Sequence, residues 1–129
     1  MVELRNRYFF TPVVIQQQST EGESNDSVKL NRIRPSVRGL GDSKYTARDA
    51  NLVLGVFSPA KFDMREFGGY DIKKMGDHIR FLEACVSRDG EQGGLLGLYF
   101  DGATCFFDEL GNRSQEEKEK LYKYIESLR

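Results

Sequence analysis

Two short apolar segments constrain this chain more than any other feature. They are Pro12–Ile15, which is rich in β-branched residues, and Asn51–Phe57, and neither has an interior polar position. A short apolar run without alternation is typical of a strand buried on both faces, as in a parallel sheet. The sequence therefore predicts a sheet whose inner strands are covered from two sides.

The segments around these two strands predict a mixed chain. Met1–Phe10 has the pattern of the last turns of a helix, which Pro12 ends because it disfavours helical geometry at Thr11. Ser43–Ala50 predicts a short helix. Ile79–Val86 favours a strand, although its composition also tolerates a helix. Leu95–Phe107 predicts a hairpin with a two-residue Asp-Gly turn.

The remaining segments are a polar loop, an irregular stretch and a terminal helix. Ser19–Val28 is polar and glycine-bearing and predicts a mobile loop, and Lys61–Asp77 predicts an irregular excursion. Ser114–Glu117 is a capping box that opens a helix. The apolar face of that helix is expected to carry Leu121, Tyr124, Ile125 and Leu128.

This order of elements predicts an α/β fold with an appended antiparallel hairpin and a C-terminal helix. We expect residues 1–110 to form the main unit and residues 111–129 to form the amphipathic helix. A chain of 129 residues, with 39% hydrophobic and 30% charged residues, fits one globular domain. The net charge of −1 gives no overall basic field, so any binding of nucleic acid requires a local patch.

Cysteine and histidine usage argues against a structural metal. Cys85 and Cys105 lie far apart, His78 is the single histidine, and a zinc site needs about four such ligands. Both cysteines lie in apolar segments and are expected to be reduced core thiols of a cytoplasmic protein. No apolar run approaches the roughly 20 residues of a membrane span.

Three motifs carry possible chemistry, and each has a structural alternative. Gln16–Gln18 places amides at a strand end, where they could hydrogen-bond a phosphate or simply meet solvent. The segment Lys29–Arg48 holds six cations against one acid and is either a DNA-phosphate contact or a solvated surface. Arg88 at a strand end could reach a neighbouring subunit's nucleotide, or pair with Asp89 within its turn.

In this order, the segments resemble the C-terminal half of the RecA-like ATPase domain of DnaB-type replicative DNA helicases, over approximately Val2–Leu110. The matched segments are Pro12–Gln18 with the sensor strand, Gly39–Lys44 with the DNA-contact motif, Arg48–Leu54 with the next strand entry, Ser87–Gly90 with the arginine-finger turn and Phe100–Phe107 with the closing hairpin.

The resemblance implies a partial RecA-like, P-loop NTPase sheet and a role in DNA replication, in a phage-like protein. Gln18 would sense the γ-phosphate, with Gln17 left open because a one-residue slip reverses a strand side chain. Arg88 would be the arginine finger. The implied contacts to single-stranded DNA are Lys29, Arg32, Arg34, Arg38, Asp42, Ser43 and Lys44. The complete motor would use ATP and Mg²⁺ and assemble as a homo-oligomer, a hexamer by family analogy.

Several positions depart from the family pattern. Gly41 stands where the family carries arginine, Lys44 where it carries glycine, and Val86 where it carries a lysine. The sequence also contains no G-x-x-x-x-G-K-[ST] motif, whose backbone amides and lysine hold the β- and γ-phosphates. We therefore expect this chain to be inactive alone and to need the missing N-terminal half of the motor. The alternative is a small non-catalytic module that binds nucleic acid or protein.

Overall fold

The computed structural model describes residues 2–17, 34–35, 37, 44–90 and 93–129. The helices are α1 (Val2–Tyr8), α2 (Lys44–Asp49), α3 (Ile72–Met75) and α4 (Gln115–Ser127), and the strands are β1 (Leu52–Phe57), β2 (Glu66–Phe67), β3 (Tyr70–Asp71), β4 (Ile79–Ser87), β5 (Leu95–Asp101) and β6 (Phe106–Glu109). Two 3₁₀ turns, Pro59–Phe62 and Gly76–His78, connect them. None of the described helices has the length and apolar content needed to cross a membrane.

The chain has a mixed fold of α-helices and β-strands, as predicted, but its sheet is antiparallel. Strands β1, β4, β5 and β6 form one sheet in the order β1-β4-β5-β6, and every neighbouring pair is antiparallel. Strand β1 lies at one edge of this sheet, so the prediction that it is an inner strand of a parallel sheet is wrong for the described part of the chain. The apolar residues of β1 are therefore not all buried, and every second side chain along the strand is exposed.

The predicted strand at Pro12–Ile15 is also not formed. Residues 10–17 adopt neither helix nor strand, and the side chains of Val13 and Ile15 are 84% and 94% exposed. A strand needs a neighbour for its backbone hydrogen bonds, and the described residues supply none beside this segment. Helix α1, in contrast, confirms the predicted helix before Pro12.

Residues 61–77 supply much of the hydrophobic core, contrary to the expected irregular excursion. Gly68 and Gly69 both have positive φ angles, 57° and 77°, as a two-residue hairpin turn between β2 and β3 requires. A side chain at Gly68 would meet the Phe81 ring at 2.4 Å, so the hairpin packs directly against β4. The buried core consists of Met64, Phe67, Tyr70, Ile72, Met75, Ile79, Phe81, Leu110, Tyr122 and Ile125.

The predicted capping box at the start of α4 is confirmed. The Ser114 hydroxyl accepts a hydrogen bond from the Glu117 N–H at 3.3 Å, and the Glu117 carboxylate accepts one from the Ser114 N–H at 2.8 Å. The buried face differs from the expected one. Ile125 is buried with Tyr122, whose hydroxyl accepts a hydrogen bond from the Asp71 N–H at 2.9 Å, whereas Tyr124 and Leu128 are more than half exposed.

The β5–β6 hairpin is confirmed with a longer turn than predicted. Asp101 pairs with Phe106, which leaves a four-residue loop instead of two residues. The Asp101 carboxylate accepts hydrogen bonds from the Ala103 N–H at 3.0 Å and the Thr104 hydroxyl at 2.7 Å, which satisfies the wider turn. These two bonds lower the pKa of Asp101, with the larger effect from Thr104.

Candidate functional site

Arg88 lies immediately after β4, at the end of the sheet where β1 begins. The last residue pair between these strands is Leu52 with Ser87, and the Arg88 N–H then donates to the Asn51 carbonyl at 3.0 Å. The backbone of Arg88 is therefore held by the connection between α2 and β1. Its side chain is exposed, as the position of a turn arginine predicts.

The Arg88 guanidinium contacts the carboxyl-terminal end of α2. Its Nη2 donates to the Arg48 carbonyl, which belongs to the last turn of that helix. The last four carbonyls of a helix have no partner within the helix, so they are ready acceptors for a guanidinium. This contact replaces the pairing with Asp89 that the structural alternative for Arg88 assumed.

Helix α1 reaches the same connection through another arginine. Arg5 Nη1 donates to Asn51 Oδ1 at 2.7 Å, across 46 positions of sequence. Arg48 itself pairs with Asp49, at 3.6 Å between Nε and Oδ1. Arginines from α1, α2 and the end of β4 thus come together around residues 48–51, where Asp49 pairs with one of them.

Arg34 is the one predicted DNA contact whose side chain the structure describes. Its Nη1 lies 3.7 Å from Glu83 Oε1, and its guanidinium lies 5.7 Å from the centre of the Phe67 ring. The Glu83 side chain is only 13% exposed, and its Oε2 has no hydrogen-bond partner within the described residues. Because an isolated buried carboxylate is costly, Arg34 has a structural role here in addition to any contact with DNA.

Pro35 fixes this basic segment to the covered face of the sheet. A Cβ at Gly55 would lie 2.0 Å from Pro35 Cβ, so only glycine allows the Pro35 ring to approach the β1 backbone this closely. The Cys85 thiol donates to the Pro35 carbonyl at 3.5 Å. Burial, and secondarily the charge of Glu83, raise the pKa of the Cys85 thiol, which makes it an unreactive packing group.

The other predicted site residues cannot be placed relative to Arg88. Gln18, Lys29, Arg32, Arg38, Asp42 and Ser43 lie outside the described residues, as does the side chain of Lys44. Lys44 is the first residue of α2, so the predicted DNA-contact segment continues directly into the helix that contacts Arg88. The structure thus places the Arg88 guanidinium against the carbonyl of Arg48, four residues after Lys44 in the same helix.

His78 and Cys105 were considered as metal ligands from the sequence, and the structure gives each of them a different environment. His78 Nδ1 lies 3.1 Å from the Phe100 carbonyl, and its ring stacks on Tyr99 with centroids 5.8 Å apart. Cys105 is exposed in the β5–β6 loop with a φ of 54°, so the prediction that it is a core thiol is wrong. No group of three or more histidine, cysteine, aspartate or glutamate side chains suited to a metal ion occurs in the part of the chain that the structure describes.

A shallow cavity of about 200 Å³ lies between the hairpin and α4, lined by residues that include Tyr99, Arg113 and Tyr124. It is smaller than the ~300 Å³ at which ligand pockets usually begin.

The signals that sequence reasoning missed are long-range ones, namely Asn51 as an anchor for Arg5 and Glu83 as the partner of Arg34. No protein-family model, curated protein or solved structure matches this chain.

Proposed function

We propose that this chain is the sensor, DNA-contact and arginine-finger portion of an ATP-dependent replicative DNA helicase with a RecA-like motor. In this proposal it works only with a polypeptide segment that bears the phosphate loop. The observation that carries the proposal is strand β1. It is apolar on both faces, and its outer edge has no neighbouring strand among the described residues.

An edge strand of this kind is unusual in a finished sheet. Leu52, Leu54 and Val56 are 54%, 51% and 58% exposed, and β1 contains no charged residue or proline that would discourage pairing with another strand. In the resembled family, the phosphate-loop strand would pair at this edge. An open, apolar β1 is therefore what the proposal requires of a sheet whose remaining strands lie on another segment.

The position of Arg88 gives the second support. An arginine finger must be exposed, carry a permanent charge and extend from a rigid element. Arg88 meets these conditions, because its side chain is exposed while its backbone N–H is bonded to Asn51 at the end of a paired strand. In the proposed motor it would contact the nucleotide held by the adjacent subunit.

In this proposal ATP and Mg²⁺ are held by another segment of the motor. This part of the proposal is supported by the sequence, which lacks a phosphate-loop motif. No step of hydrolysis is assigned to this chain by itself. Its contribution is the charge of Arg88 and the contact with DNA.

The test measures ATP hydrolysis by a polypeptide that bears the phosphate loop of a RecA-like motor, with and without this chain and single-stranded DNA. We expect hydrolysis only when both polypeptides are present, and Arg88→Ala is expected to lower the rate by about a thousand-fold or more. Arg65→Ala is the matched control, since Arg65 is an exposed arginine distant from Arg88 in sequence. Turnover by this chain alone would contradict the proposal.

The alternative is a small non-catalytic module that binds nucleic acid or protein. It is favoured by one observation, which is that every strand of the described residues is paired and one face of the sheet has a complete core. Size-exclusion chromatography separates the two proposals. The helicase portion is expected to self-associate through β1 and to become monodisperse with the phosphate-loop polypeptide, whereas the module is expected to be a compact monomer.

A further inference from the structure

Residues 9–15, which we call the arm, expose apolar side chains that a folded chain usually covers. The arm follows α1 and contains no charged residue. The side chains of Phe9 and Ile15 are both 94% exposed, and Val13 is exposed almost as fully. Single apolar residues at a surface are ordinary, but a continuous run of them marks an interaction site. The arm is therefore suited to a partner outside its own chain.

Strand β1 has a surface that an extended segment can cover. Its outer edge pairs with no strand in the part of the chain that the structure describes, so the backbone donors and acceptors on that side point outward. Leu54 and Val56 are more than half exposed on the face opposite the core. An extended segment that joins this edge would satisfy the backbone groups of both strands and cover these side chains.

The arm has the composition of a strand that joins such an edge. Residues 13–15 are all β-branched, which favours extended backbone. Pro12 has no N–H, and proline is tolerated as the first residue of a strand. Since alternate side chains of a strand share a face, Val13 and Ile15 would lie together beside the exposed side chains of β1.

A second copy of this chain is the partner that these two features fit. Each copy carries one arm and one open edge, so two copies can exchange arms reciprocally and the assembly closes as a dimer. Neither the arm nor β1 carries a charge, so no like-charge repulsion opposes the exchange.

The available apolar area is sufficient for such a dimer. The exposed apolar side chains of the arm and of β1 together amount to on the order of 1,000 Å² per copy, taking ~200 Å² for a fully exposed aromatic residue. A stable interface needs about 800 Å² from each partner. The exchange would therefore bury an area of the size that a specific dimer requires.

Helix α1 positions the base of the arm beside the same sheet. Arg5 Nη1 donates to Asn51 Oδ1 at 2.7 Å, directly before β1 begins. An extended segment of the arm's length spans roughly 25 Å, and a strand of the length of β1 spans roughly 20 Å. The arm is thus long enough to run along the whole edge of β1 in a copy that lies alongside.

We propose that two copies of this chain form a dimer by exchanging arms, with residues 13–15 of each copy added as a strand to the outer edge of β1 in the other. This inference goes beyond the proposed function and does not depend on it, since it concerns the chain by itself. In the proposed motor, the phosphate-loop strand would take the same edge and release the arm.

The experiment uses two variants of the full chain with opposite charges and measures dimer dissociation by sedimentation equilibrium. Val13→Lys with Ile15→Lys changes the arm, and Leu54→Glu with Val56→Glu changes the edge. All four side chains are more than half exposed, so both variants are expected to keep the fold, which circular dichroism checks. Each variant by itself should raise the Kd of the dimer by about a hundred-fold or more, because its charges would be buried without partners.

An equimolar mixture of the two variants should recover a dimer. One junction of the mixed dimer has the unchanged arm on the unchanged edge, and the other pairs the new lysines with the new glutamates. Phe106→Lys is the matched control, because Phe106 is a similarly exposed apolar residue of β6, at the opposite edge of the sheet. Its Kd should equal that of the unchanged chain.

Four results would overturn the proposal. The unchanged chain could stay monomeric at every concentration, which would remove the dimer altogether. An arm variant that dimerises as tightly as the unchanged chain would show that the arm does not cover the edge. A mixture that stays monomeric would show that arm and edge do not meet. A Phe106→Lys variant that dissociates as readily as the other two would place the interface elsewhere.

Discussion

The two faces of the four-stranded sheet have similar sequences but very different surroundings. On the face covered by the β2–β3 hairpin, α3 and α4, Ile79 and Phe81 are at most 2% exposed. On the opposite face, Leu52, Leu54 and Val56 of β1 are all more than half exposed. A strand that is apolar on both sides suits a sheet with two covering layers. The difference shows that, among the described residues, one face of the sheet has a complete covering layer, whereas the β1 part of the other face is exposed.

The largest expected effect comes from the covered face. The centroid of the Phe81 ring lies 4.8 Å from that of Phe67 and 5.8 Å from that of Phe57. Phe81→Ala should lower the free energy of unfolding by about 3–5 kcal/mol, because it leaves a cavity in the centre of the core. Urea denaturation measures this change.

Phe106→Ala is the matched control on an exposed position of β6, where the side chain is 56% exposed. We expect its effect to stay within about 0.5 kcal/mol. Equal losses in both variants would contradict the contrast between covered and exposed aromatic residues.

A smaller effect is expected where Pro35 packs on β1. Gly55→Ala places a Cβ 2.0 Å from Pro35 Cβ, so Pro35 must move away from β1. We expect a loss of about 1–3 kcal/mol in the free energy of unfolding. Gly94→Ala has open space around the new methyl group and no positive φ, so its stability should change little. The position of Pro35 over β1 is wrong if both variants unfold at the same urea concentration.

The cap of α4 contributes less, because it affects one end of one covering helix. Ser114→Ala removes the hydroxyl that accepts from the Glu117 N–H and should cost about 1 kcal/mol in unfolding free energy. Ser114→Asp retains an acceptor at this position and should preserve stability. Thermal unfolding followed by circular dichroism checks both variants, and a loss in both would argue against the cap.

The same cap predicts a pH dependence. The pKa of Glu117 lies below its ordinary value of 4.5. The main cause is the hydrogen bond that its carboxylate accepts from the Ser114 backbone N–H, and a hydrogen bond with the Ser114 side chain adds to it. A lowered folded pKa gives stabilisation that is present above the unfolded pKa and is lost as the pH falls through the folded pKa. Glu117→Gln should remove this part of the acid sensitivity, which urea denaturation at neutral and acid pH can measure. An unchanged acid sensitivity would contradict it.

Substitutions on the exposed face of β1 should change self-association, and they should change folding stability least. Leu54→Lys with Val56→Lys places two charges on the open side of β1, which discourages strand pairing and face-to-face contact. We expect the free energy of unfolding to change by no more than about 0.5 kcal/mol and self-association to decrease. Sedimentation velocity over a range of concentrations tests this. Lys123→Glu, at an exposed position of α4 away from β1, is the control.

Local signals in the sequence predicted several elements well. The capping box at Ser114 located the start of α4, Pro12 marked the end of α1, and the apolar run after Asn51 located β1. Each of these depends on residues within one turn or one strand. Which strands become neighbours depends instead on residues far apart in the chain. For this reason the sequence located β1 correctly but predicted the wrong pairing for it.

The errors arose where long-range contacts decide the structure. Residues 61–77 looked irregular because Phe67 and Met75 become core residues only when the hairpin packs against β4. Within the candidate site, the strand-end position of Arg88 could be predicted from its turn. Its contact with the Arg48 carbonyl could not, because it joins segments 40 positions apart. The contact between Arg34 and Glu83 was hidden for the same reason.

The sequence separation between paired strands has a consequence for how the chain folds. Strands β4, β5 and β6 follow one another through short connections, whereas β1 pairs with β4 only after residues 58–78 have been placed. Closing a longer loop costs more entropy, so contacts of low sequence separation form first. Residues 79–127 should therefore form the folding nucleus, with β1 joining it late and separating from it early when the molecule opens.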